Sequence, residues 1–146
     1  MGAPLRVLIV EDEALLAMEL EALVEEAGHE VVGWAVSSRE ALALLDTTAA
    51  DLAFVDVHLA DGPTGIEVAE RMGAERGLTV VFLTANPKRL PENLAGAAGV
   101  IAKPYSLTGL VTALRYLHEG VRRPPPRLPR PTGFALGPAY ELRWGA

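Results

Sequence analysis

The chain contains no cysteine, few aromatic residues and no long apolar stretch. The absence of cysteine among 146 residues excludes disulfide bonds and thiolate metal sites. Aromatic side chains make up 5% of the sequence, so the core of the one domain that this length fits must be built mainly from Leu, Val, Ile and Ala. No stretch approaches the roughly 20 apolar residues that cross a bilayer, and the first residues lack the apolar region of a secretory signal. We therefore expect a cytoplasmic protein without a membrane segment.

The charge is distributed unevenly. Residues 1–120 carry 18 acidic and 8 basic side chains, whereas residues 121–146 carry one acidic side chain and five arginines. Nucleic-acid backbones are bound by Lys and Arg, so the acidic part of the chain is not expected to bind nucleic acid. The C-terminal arginines are more typical of a solvated linker than of a nucleic-acid-binding arm.

Short apolar runs alternate with segments of helical periodicity. The runs predict β-strands at residues 5–10, 29–36, 52–57, 79–84 and 99–102. The periodic segments predict helices at residues 13–27, 38–46, 66–76 and 106–119, the last ending at Gly120. Apolar strands that alternate with amphipathic helices indicate an α/β fold. In that fold a doubly wound, five-stranded parallel sheet has helices on both faces.

Two segments are less regular. Between Thr84 and Gly99 the sequence has two prolines and few large apolar residues, which supports at most a short helix near residues 91–98. Residues 121–146 contain six prolines, too many for a helix or a central strand. We therefore predict one domain at residues 1–120. Residues 121–146 are predicted to be an extended Pro/Arg-rich tail, too short for a second domain.

Polar side chains stand where the predicted strands end. In a doubly wound sheet, ligands bind outside the carboxyl ends of the strands. The residues at these positions are Glu11, Asp12 and Glu13 after the first strand, Asp56 at the end of the third, Thr84 at the end of the fourth and Lys103 after the fifth. We expect these side chains to meet at one edge of the sheet.

This set of side chains suits phosphoryl transfer. Clustered carboxylates repel one another unless a cation compensates them, and oxygen ligands favour Mg²⁺ or Mn²⁺. A metal held by Asp12 and Asp56 would offset the charge of a phosphoryl group, and Asp56 could attack phosphorus as a nucleophile. Lys103 as a point charge and Thr84 as a hydrogen-bond donor could hold the phosphoryl oxygens.

Four motifs carry a family resemblance. They are VLIVEDE, AFVDVHL, VVFLTA and IAKPY, in this order and at the ends of alternating strands. Through them, residues 4–120 resemble the receiver domain of bacterial response regulators. The resemblance implies a flavodoxin-like sheet with strand order 2-1-3-4-5 and a phosphorylation-dependent switch in a two-component phosphorelay. The implied phosphodonor is a histidine kinase or a histidine phosphotransfer protein, and the implied output is contact with a downstream protein.

The resemblance also implies a role for each strand-end residue. Asp56 is the implied phosphoacceptor, Thr84 the switch hydroxyl and Lys103 the lysine that binds the phosphoryl group. The implied Mg²⁺ ligands, with Mn²⁺ as an alternative ion, are Glu11 (largely through water), Asp12, Asp56 and the backbone carbonyl of His58. Such a protein loses its phosphoryl group by Mg²⁺-dependent autodephosphorylation and does not turn over an external substrate.

Three further expectations come from the resemblance. The side chains of His58 and Asn86 are implied to set the lifetime of the phosphoryl group, and the peptide before Pro104 is expected to be cis. Receiver domains usually carry an aromatic residue three positions before the lysine, where this chain has Val100. The usual coupling between the threonine and that aromatic residue therefore cannot operate in its ordinary form, and the chain resembles a subgroup that lacks it.

Other functions are weighed against this one. An aspartate-nucleophile phosphatase would need a second acid two residues after the nucleophile, where this chain has His58. A docking module that is never phosphorylated is favoured by Val100 but disfavoured by the complete acidic and basic set. A separate hypothesis is that the tail docks on a protein surface, of its own domain or of another copy. Its apolar residues are Phe134, Leu136, Tyr140, Leu142 and Trp144. The sequence leaves open whether two copies form a homodimer.

Overall fold

The computed structural model describes residues 2–145 as a six-stranded sheet covered by helices. Within these residues the strands are β1 (Arg6–Val10), β2 (Glu30–Ala35), β3 (Leu52–Asp56), β4 (Thr79–Thr84), β5 (Gly99–Ala102) and β6 (Phe134–Leu136). The helices are α1 (Ala14–Glu26), α2 (Ser38–Thr47), α3 (Gly65–Arg76), α4 (Leu107–Arg122) and α5 (Glu141–Trp144). The strand order is β2-β1-β3-β4-β5-β6. All neighbouring strands are parallel except β5 and β6, which pair antiparallel.

The strands form the middle layer of two apolar cores. On one face, Val7, Ile9 and Phe54 pack against buried residues of α1 and α4. On the other face, Leu8 and Val55 pack against buried residues of α2 and α3. Because successive residues of a strand point to opposite faces, a strand that is apolar at every position is buried on both sides. The predicted α/β fold, with its doubly wound sheet and the order 2-1-3-4-5 for the first five strands, is confirmed.

The segment between β4 and β5 contains two 3₁₀ turns and no α-helix. The turns are Pro87–Arg89 and Leu94–Gly96, so the short helix considered at residues 91–98 does not form. Leu94 and Ala95 have φ angles of 50° and 52°, in the left-handed region that breaks a right-handed helix. Their neighbours Ala97 and Ala98 are buried. The two buried alanines therefore anchor the segment as a loop. The segment has too few regularly spaced apolar residues to pack as an α-helix.

Helix α4 does not end at Gly120, as the glycine predicted, but continues to Arg122. A Cβ atom at Gly120 would lie 2.6 Å from the ring of Trp144. The glycine therefore serves as a contact point for an aromatic side chain, not as a cap. The helix stops where Pro124 follows Arg123, because the residue before a proline is disfavoured in the helical region.

Residues 134–144, predicted to be extended, instead form β6, a 3₁₀ turn (Pro138–Tyr140) and α5. Most of the prolines that predicted an extended chain lie in residues 124–131, and the apolar residues after Gly133 are free to pack. Phe134, Tyr140 and Trp144 are buried in the core that also contains α1 and α4. The sheet consequently has a sixth strand beyond the five predicted. No helix in the described part of the chain is long and apolar enough to cross a membrane.

Asp51 holds together the edge of the sheet at which β1 and β3 begin. Its carboxylate accepts hydrogen bonds from the backbone N–H of Arg6 at 2.8 Å, the guanidinium of Arg6 at 3.0 Å and that of Arg122 at 3.1 Å. Burial alone would raise the pKa of Asp51, but these hydrogen bonds outweigh it and lower the pKa to about 2. The carboxylate thereby joins β1, the loop before β3 and the last turn of α4.

We expect Asp51→Asn to lower the free energy of unfolding by about 1–2 kcal/mol at pH 7. A carboxylate whose pKa is depressed on folding stabilises the protein above its unfolded pKa of about 3.9, and that stability is lost as the pH falls toward 2. The difference between variant and parent, measured by urea unfolding, should therefore shrink between pH 4 and pH 2. The control is Asp46→Asn, because Asp46 forms an ion pair with Arg76 while 76% exposed and should change stability little. An equal effect of both substitutions would contradict the assignment.

Candidate functional site

The polar residues expected at the strand ends meet at one edge of the sheet. Glu11 and Asp12 follow β1 directly, Asp56 is the last residue of β3, Thr84 is the last of β4, and Lys103 follows β5. The order β1-β3-β4-β5 places these four strand ends side by side. The structure therefore places these residues at the same edge of the sheet, as predicted, because all four strands run parallel and their carboxyl ends lie together.

Lys103 is the centre of the arrangement. Its Nζ atom donates to Oδ2 of Asp56 at 2.7 Å and to Oε1 of Glu11 at 2.8 Å. The side chains of Lys103, Asp56 and Glu11 are 18%, 12% and 5% exposed, so these two ion pairs are poorly screened by solvent. Burial alone would lower the pKa of Lys103, but the two carboxylates outweigh it and raise that pKa.

Glu11 is the most perturbed acid of the site. Burial raises its pKa to about 7, against the lowering effect of the hydrogen bonds from Lys103 and from the backbone N–H of Glu13. The charge of Asp56 raises the pKa further. An added cation would lower the pKa of Glu11 and favour its ionised form.

Three acids of the site are close enough to share a cation. One carboxylate oxygen from each of Glu11, Asp12 and Asp56 lies within 4.8 Å of the others. Lys103 supplies one positive charge to three carboxylates, so excess negative charge remains. Ligands made only of oxygen suit Mg²⁺ and Mn²⁺, so the residues present fit the predicted metal. The acidic cluster could hold such an ion.

Thr84 and Val100 belong to the strands on the other side of Asp56. Thr84 is 4% exposed, and its hydroxyl oxygen accepts a hydrogen bond from the backbone N–H of Asn86 at 3.1 Å. Its carbonyl accepts from the backbone N–H of Lys103 at 2.8 Å, which joins the ends of β4 and β5. Val100 is buried between Phe82 of β4 and Ala135 of β6 in the sheet register. The peptide between Lys103 and Pro104 is cis.

The loop after β3 is fixed by hydrogen bonds to the carboxylate of Asp61, a residue that the sequence did not single out. The carboxylate of Asp61 accepts hydrogen bonds from the backbone N–H of Ser38 at 3.0 Å and from the hydroxyl of Thr64 at 2.8 Å. Hydrogen bonds from Ser38, the largest cause, hold the pKa of Asp61 well below its usual range. These contacts join the loop after β3 to the start of α2. The loop begins at His58, whose backbone N–H donates to Oδ1 of Asp56 at 3.2 Å.

Trp34 was not singled out from the sequence. Its indole Nε1–H donates to the backbone carbonyl of Glu11 at 2.8 Å, while the side chain is 44% exposed. The contact fixes the peptide that leads into Asp12. The sequence did contain a signal for this contact. A tryptophan near the end of β2 carries an N–H donor that needs a partner, and β2 lies next to β1 in the predicted strand order.

Comparison with known proteins assigns the family. Residues 7–115 match the model of the response regulator receiver domain. The chain belongs to this family. The family is that of the receiver domains of two-component response regulators. The curated relatives that it matches are named as regulators, regulatory proteins or sensory transduction proteins.

Two curated relatives show how far the similarity extends. The phyllosphere-induced regulator PhyR of Methylorubrum extorquens is 34% identical over 80% of this chain and 46% of its own length. The transcriptional regulatory protein PdtaR of Mycobacterium tuberculosis is 39% identical over 77% of this chain and 56% of its own length. The receiver domain described here thus spans about half the length of these relatives.

Solved structures agree with the fold. The receiver domain of Erythrobacter litoralis PhyR superposes with a TM-score of 0.73 at 29% identity, covering 86% of this chain and 98% of that one. SdrG of Sphingomonas melonis gives a TM-score of 0.66 at 32% identity, covering 81% of this chain and 99% of that one. Both are whole-domain matches, so the similarity is not confined to the strand-end motifs.

Proposed function

We propose that Asp56 is the phosphoacceptor of this receiver domain and that a histidine kinase or a histidine phosphotransfer protein is its donor. The observation that carries the proposal is the salt bridge of 2.7 Å between Asp56 and Lys103, inside a cluster that also contains Glu11 and Asp12. A carboxylate at a strand end is common, whereas one held by a largely buried lysine beside two further acids is an arrangement suited to a charged ligand.

The chemistry follows from the positions of these groups. An oxygen of Asp56 attacks phosphorus and forms an O–P bond while the P–N bond to the donor histidine breaks. The electron pair of that bond returns to the imidazole, which keeps a proton on its other nitrogen. Lys103, released from Asp56, offers its ammonium group to a phosphoryl oxygen, and the hydroxyl of Thr84 donates to another.

A divalent cation belongs to this proposal. Mg²⁺, with Mn²⁺ as an alternative, would be held by Asp12, Asp56 and the backbone carbonyl of His58, with Glu11 acting largely through water. The ion would supply positive charge that offsets the charge of the phosphoryl oxygens. Without it, Lys103 alone faces three carboxylates and an incoming anion.

We further propose that the phosphoryl group is lost by Mg²⁺-dependent autodephosphorylation. A water molecule attacks phosphorus, the O–P bond to Asp56 breaks, and the carboxylate is restored with inorganic phosphate as the other product. His58 and Asn86 are both exposed next to residues of the site, so their side chains are placed to influence how water approaches. Their chemistry then sets the lifetime of the switch.

The biological setting is proposed from the same site. The receiver domain would belong to a cytoplasmic protein, and its output would be contact with a downstream protein. One solved relative, PhyR of Bartonella quintana, is named an anti-anti-sigma factor, an example of output through protein contact. The acidic charge of residues 1–120 disfavours nucleic acid as their partner. A homodimer is compatible with this mode of output.

The proposal is tested by incubating the full chain with acetyl phosphate, with and without Mg²⁺, and measuring the intact mass. We expect the mass to rise by one phosphoryl group only when Mg²⁺ is present. Asp56→Asn should abolish the gain, because an amide oxygen is a poor nucleophile. Asp46→Asn removes an exposed carboxylate elsewhere and should leave the gain intact. No gain in the parent protein would leave a receiver fold that acts as a docking module.

A further inference from the structure

The edge of the sheet next to β5 is closed by the chain itself. Residues 134–144, hereafter the strap, add β6 to β5 through the antiparallel pairs Gly99–Leu136, Val100–Ala135 and Ile101–Phe134. The backbone N–H of Gly137 also donates to the carbonyl of Ala98 at 2.7 Å. An edge strand otherwise presents unpaired backbone groups, so the strap occupies a surface that is suited to strand addition.

The strap packs against a surface of β5 and α4, hereafter the seat, and two glycines in these elements shape it. A Cβ atom at Gly99 would lie 2.4 Å from the ring of Phe134, and one at Gly120 would lie 2.6 Å from the ring of Trp144. Any larger residue at either position would push the aromatic ring away. The seat therefore fits the strap closely and tolerates little relative displacement.

Aromatic contacts complete the seat. The ring centroid of Tyr116 in α4 lies 5.5 Å from that of Phe134 and 5.9 Å from that of Trp144. Tyr140 meets Trp144 edge-on at 4.9 Å. These contacts bind the strap to α4 as well as to β5, so a shift of one of these elements against the other strains the strap.

The strap is connected to α4 by a segment that restrains it weakly. Residues 123–133 form no helix or strand, and most of them are exposed. The contacts that hold this segment include Oε1 of Glu119, which accepts from the backbone N–H groups of Arg127 and Leu128 at 2.8 Å and 2.9 Å. β6 contributes three residues to the ladder with β5, so its backbone pairing is short, and the buried rings of Phe134, Tyr140 and Trp144 supply the remaining contacts.

β5, the strand that pairs with the strap, leads to the lysine that bonds to Asp56. Lys103, which bonds to Asp56, lies two residues beyond Ile101, the last β5 residue paired with the strap. Val100 occupies the β5 position at which receiver domains usually carry an aromatic residue. In the sheet it is paired with Phe82 of β4 on one side and with Ala135 of the strap on the other. If the backbone of Lys103 moves with its ammonium group toward a phosphoryl group, the end of β5 is displaced relative to the strap and to α4.

We propose that the strap is a regulatory element whose seating on β5 and α4 is coupled to the loading of Asp56. The seat fits the strap in the unloaded arrangement, in which Lys103 is bonded to Asp56 and Glu11. Loading draws Lys103 away, strains the close contacts at Gly99 and Gly120, and releases the strap. This inference rests on the proposed function of Asp56. By reciprocity, weakening the strap makes the loaded state more favourable.

The test uses the full chain and beryllium fluoride with Mg²⁺, a non-covalent substitute for the phosphoryl group. Hydrogen exchange is followed by mass spectrometry, and ¹⁹F NMR gives the occupancy and the dissociation constant. We expect loading to speed exchange of amides in residues 134–144 by about 5- to 150-fold, the usual range of coupling between two sites. Exchange in α2, whose buried residues pack on the opposite face of the sheet, should change far less.

Matched glycine variants test the reciprocal effect. Gly120→Ala displaces the ring of Trp144, whereas Gly73→Ala places the same methyl group in a helix where nothing lies within 4 Å. We expect Gly120→Ala to tighten beryllium fluoride binding by about threefold or more, and Gly73→Ala to leave it unchanged. Trp144→Ala should act like Gly120→Ala. If these variants do not fold, the exchange measurement on the parent protein decides alone.

The outcomes separate the two proposals. Binding of beryllium fluoride without faster exchange in residues 134–144, or equal binding by the Gly120 and Gly73 variants, overturns the strap proposal and leaves the role of Asp56 intact. Absence of binding, together with no mass gain from acetyl phosphate, means that Asp56 is not an acceptor, and the strap proposal falls with it.

Discussion

We expect Lys103→Met to lower the free energy of unfolding by about 2–3 kcal/mol at pH 7, because it leaves two largely buried carboxylates without their cation. Met keeps the apolar stem of the side chain, so the loss reports mainly on the bonds from Nζ to Asp56 and Glu11. The substitution also removes one positive charge from the acidic cluster of Glu11, Asp12 and Asp56. Mg²⁺ should therefore bind more tightly to the variant and restore more stability than it adds to the parent protein.

Urea unfolding at several Mg²⁺ concentrations measures both effects. Lys88, the other lysine of the chain, is exposed, so Lys88→Met provides a matched control that we expect to change stability by less than about 0.5 kcal/mol. Acceptance of a phosphoryl group from acetyl phosphate should be slowed in the Lys103 variant alone. A Lys103 variant as stable as the parent, with the same response to Mg²⁺, would show that the lysine does not compensate the acidic cluster.

We expect Gly65→Ala to destabilise the protein by about 2–4 kcal/mol and to impair phosphorylation of Asp56. A Cβ atom at this position would lie 2.0 Å from the backbone carbonyl oxygen of Asp56 and 2.8 Å from Cα of Val57. Both neighbours are backbone atoms, so the end of β3 must move. The backbone N–H of Gly65 donates to the carbonyl of Val57 at 3.0 Å, and this bond would be strained by the same movement.

Gly73→Ala separates the clash at Gly65 from the general effect of alanine in a helix. Gly73 lies in the same helix α3 with open space around its Cα, so alanine should stabilise the protein by about 0.5–1 kcal/mol. Thermal unfolding followed by circular dichroism, with phosphoryl acceptance measured in parallel, compares the variants. If Gly65→Ala is as stable as Gly73→Ala, the close approach of α3 to Asp56 does not constrain the loop.

Local patterns were sufficient to predict the five parallel strands and four of the helices. Burial on both faces requires an apolar residue at every position of a central strand, and this requirement is visible in runs such as residues 52–55 and 79–83. The strand ends then follow from the first polar residue after each run. For that reason the amino-acid sequence alone is enough to identify Asp56, Thr84 and Lys103 as candidate residues.

Other features depend on residues distant in the chain and leave no local pattern. Gly120 reads as a helix cap because glycine usually ends helices, whereas here its missing side chain makes room for Trp144. Asp51 reads as a residue before a strand, although it binds two arginines that lie 45 and 71 positions away. The indole contact of Trp34 with Glu11 is of the same kind, because it spans two neighbouring strands.

The sequence by itself determined the order of strands and helices, the family and the set of residues at the strand ends. These follow from the periodicity of apolar side chains and from short motifs, both of which are local properties. Only the tertiary structure decided that Lys103 bridges Glu11 and Asp56, that the segment before β5 remains a loop, and that the tail closes the sheet as β6. The physical reason is that each depends on close packing between distant segments, where the fit of a single methyl group or ring determines which contact forms.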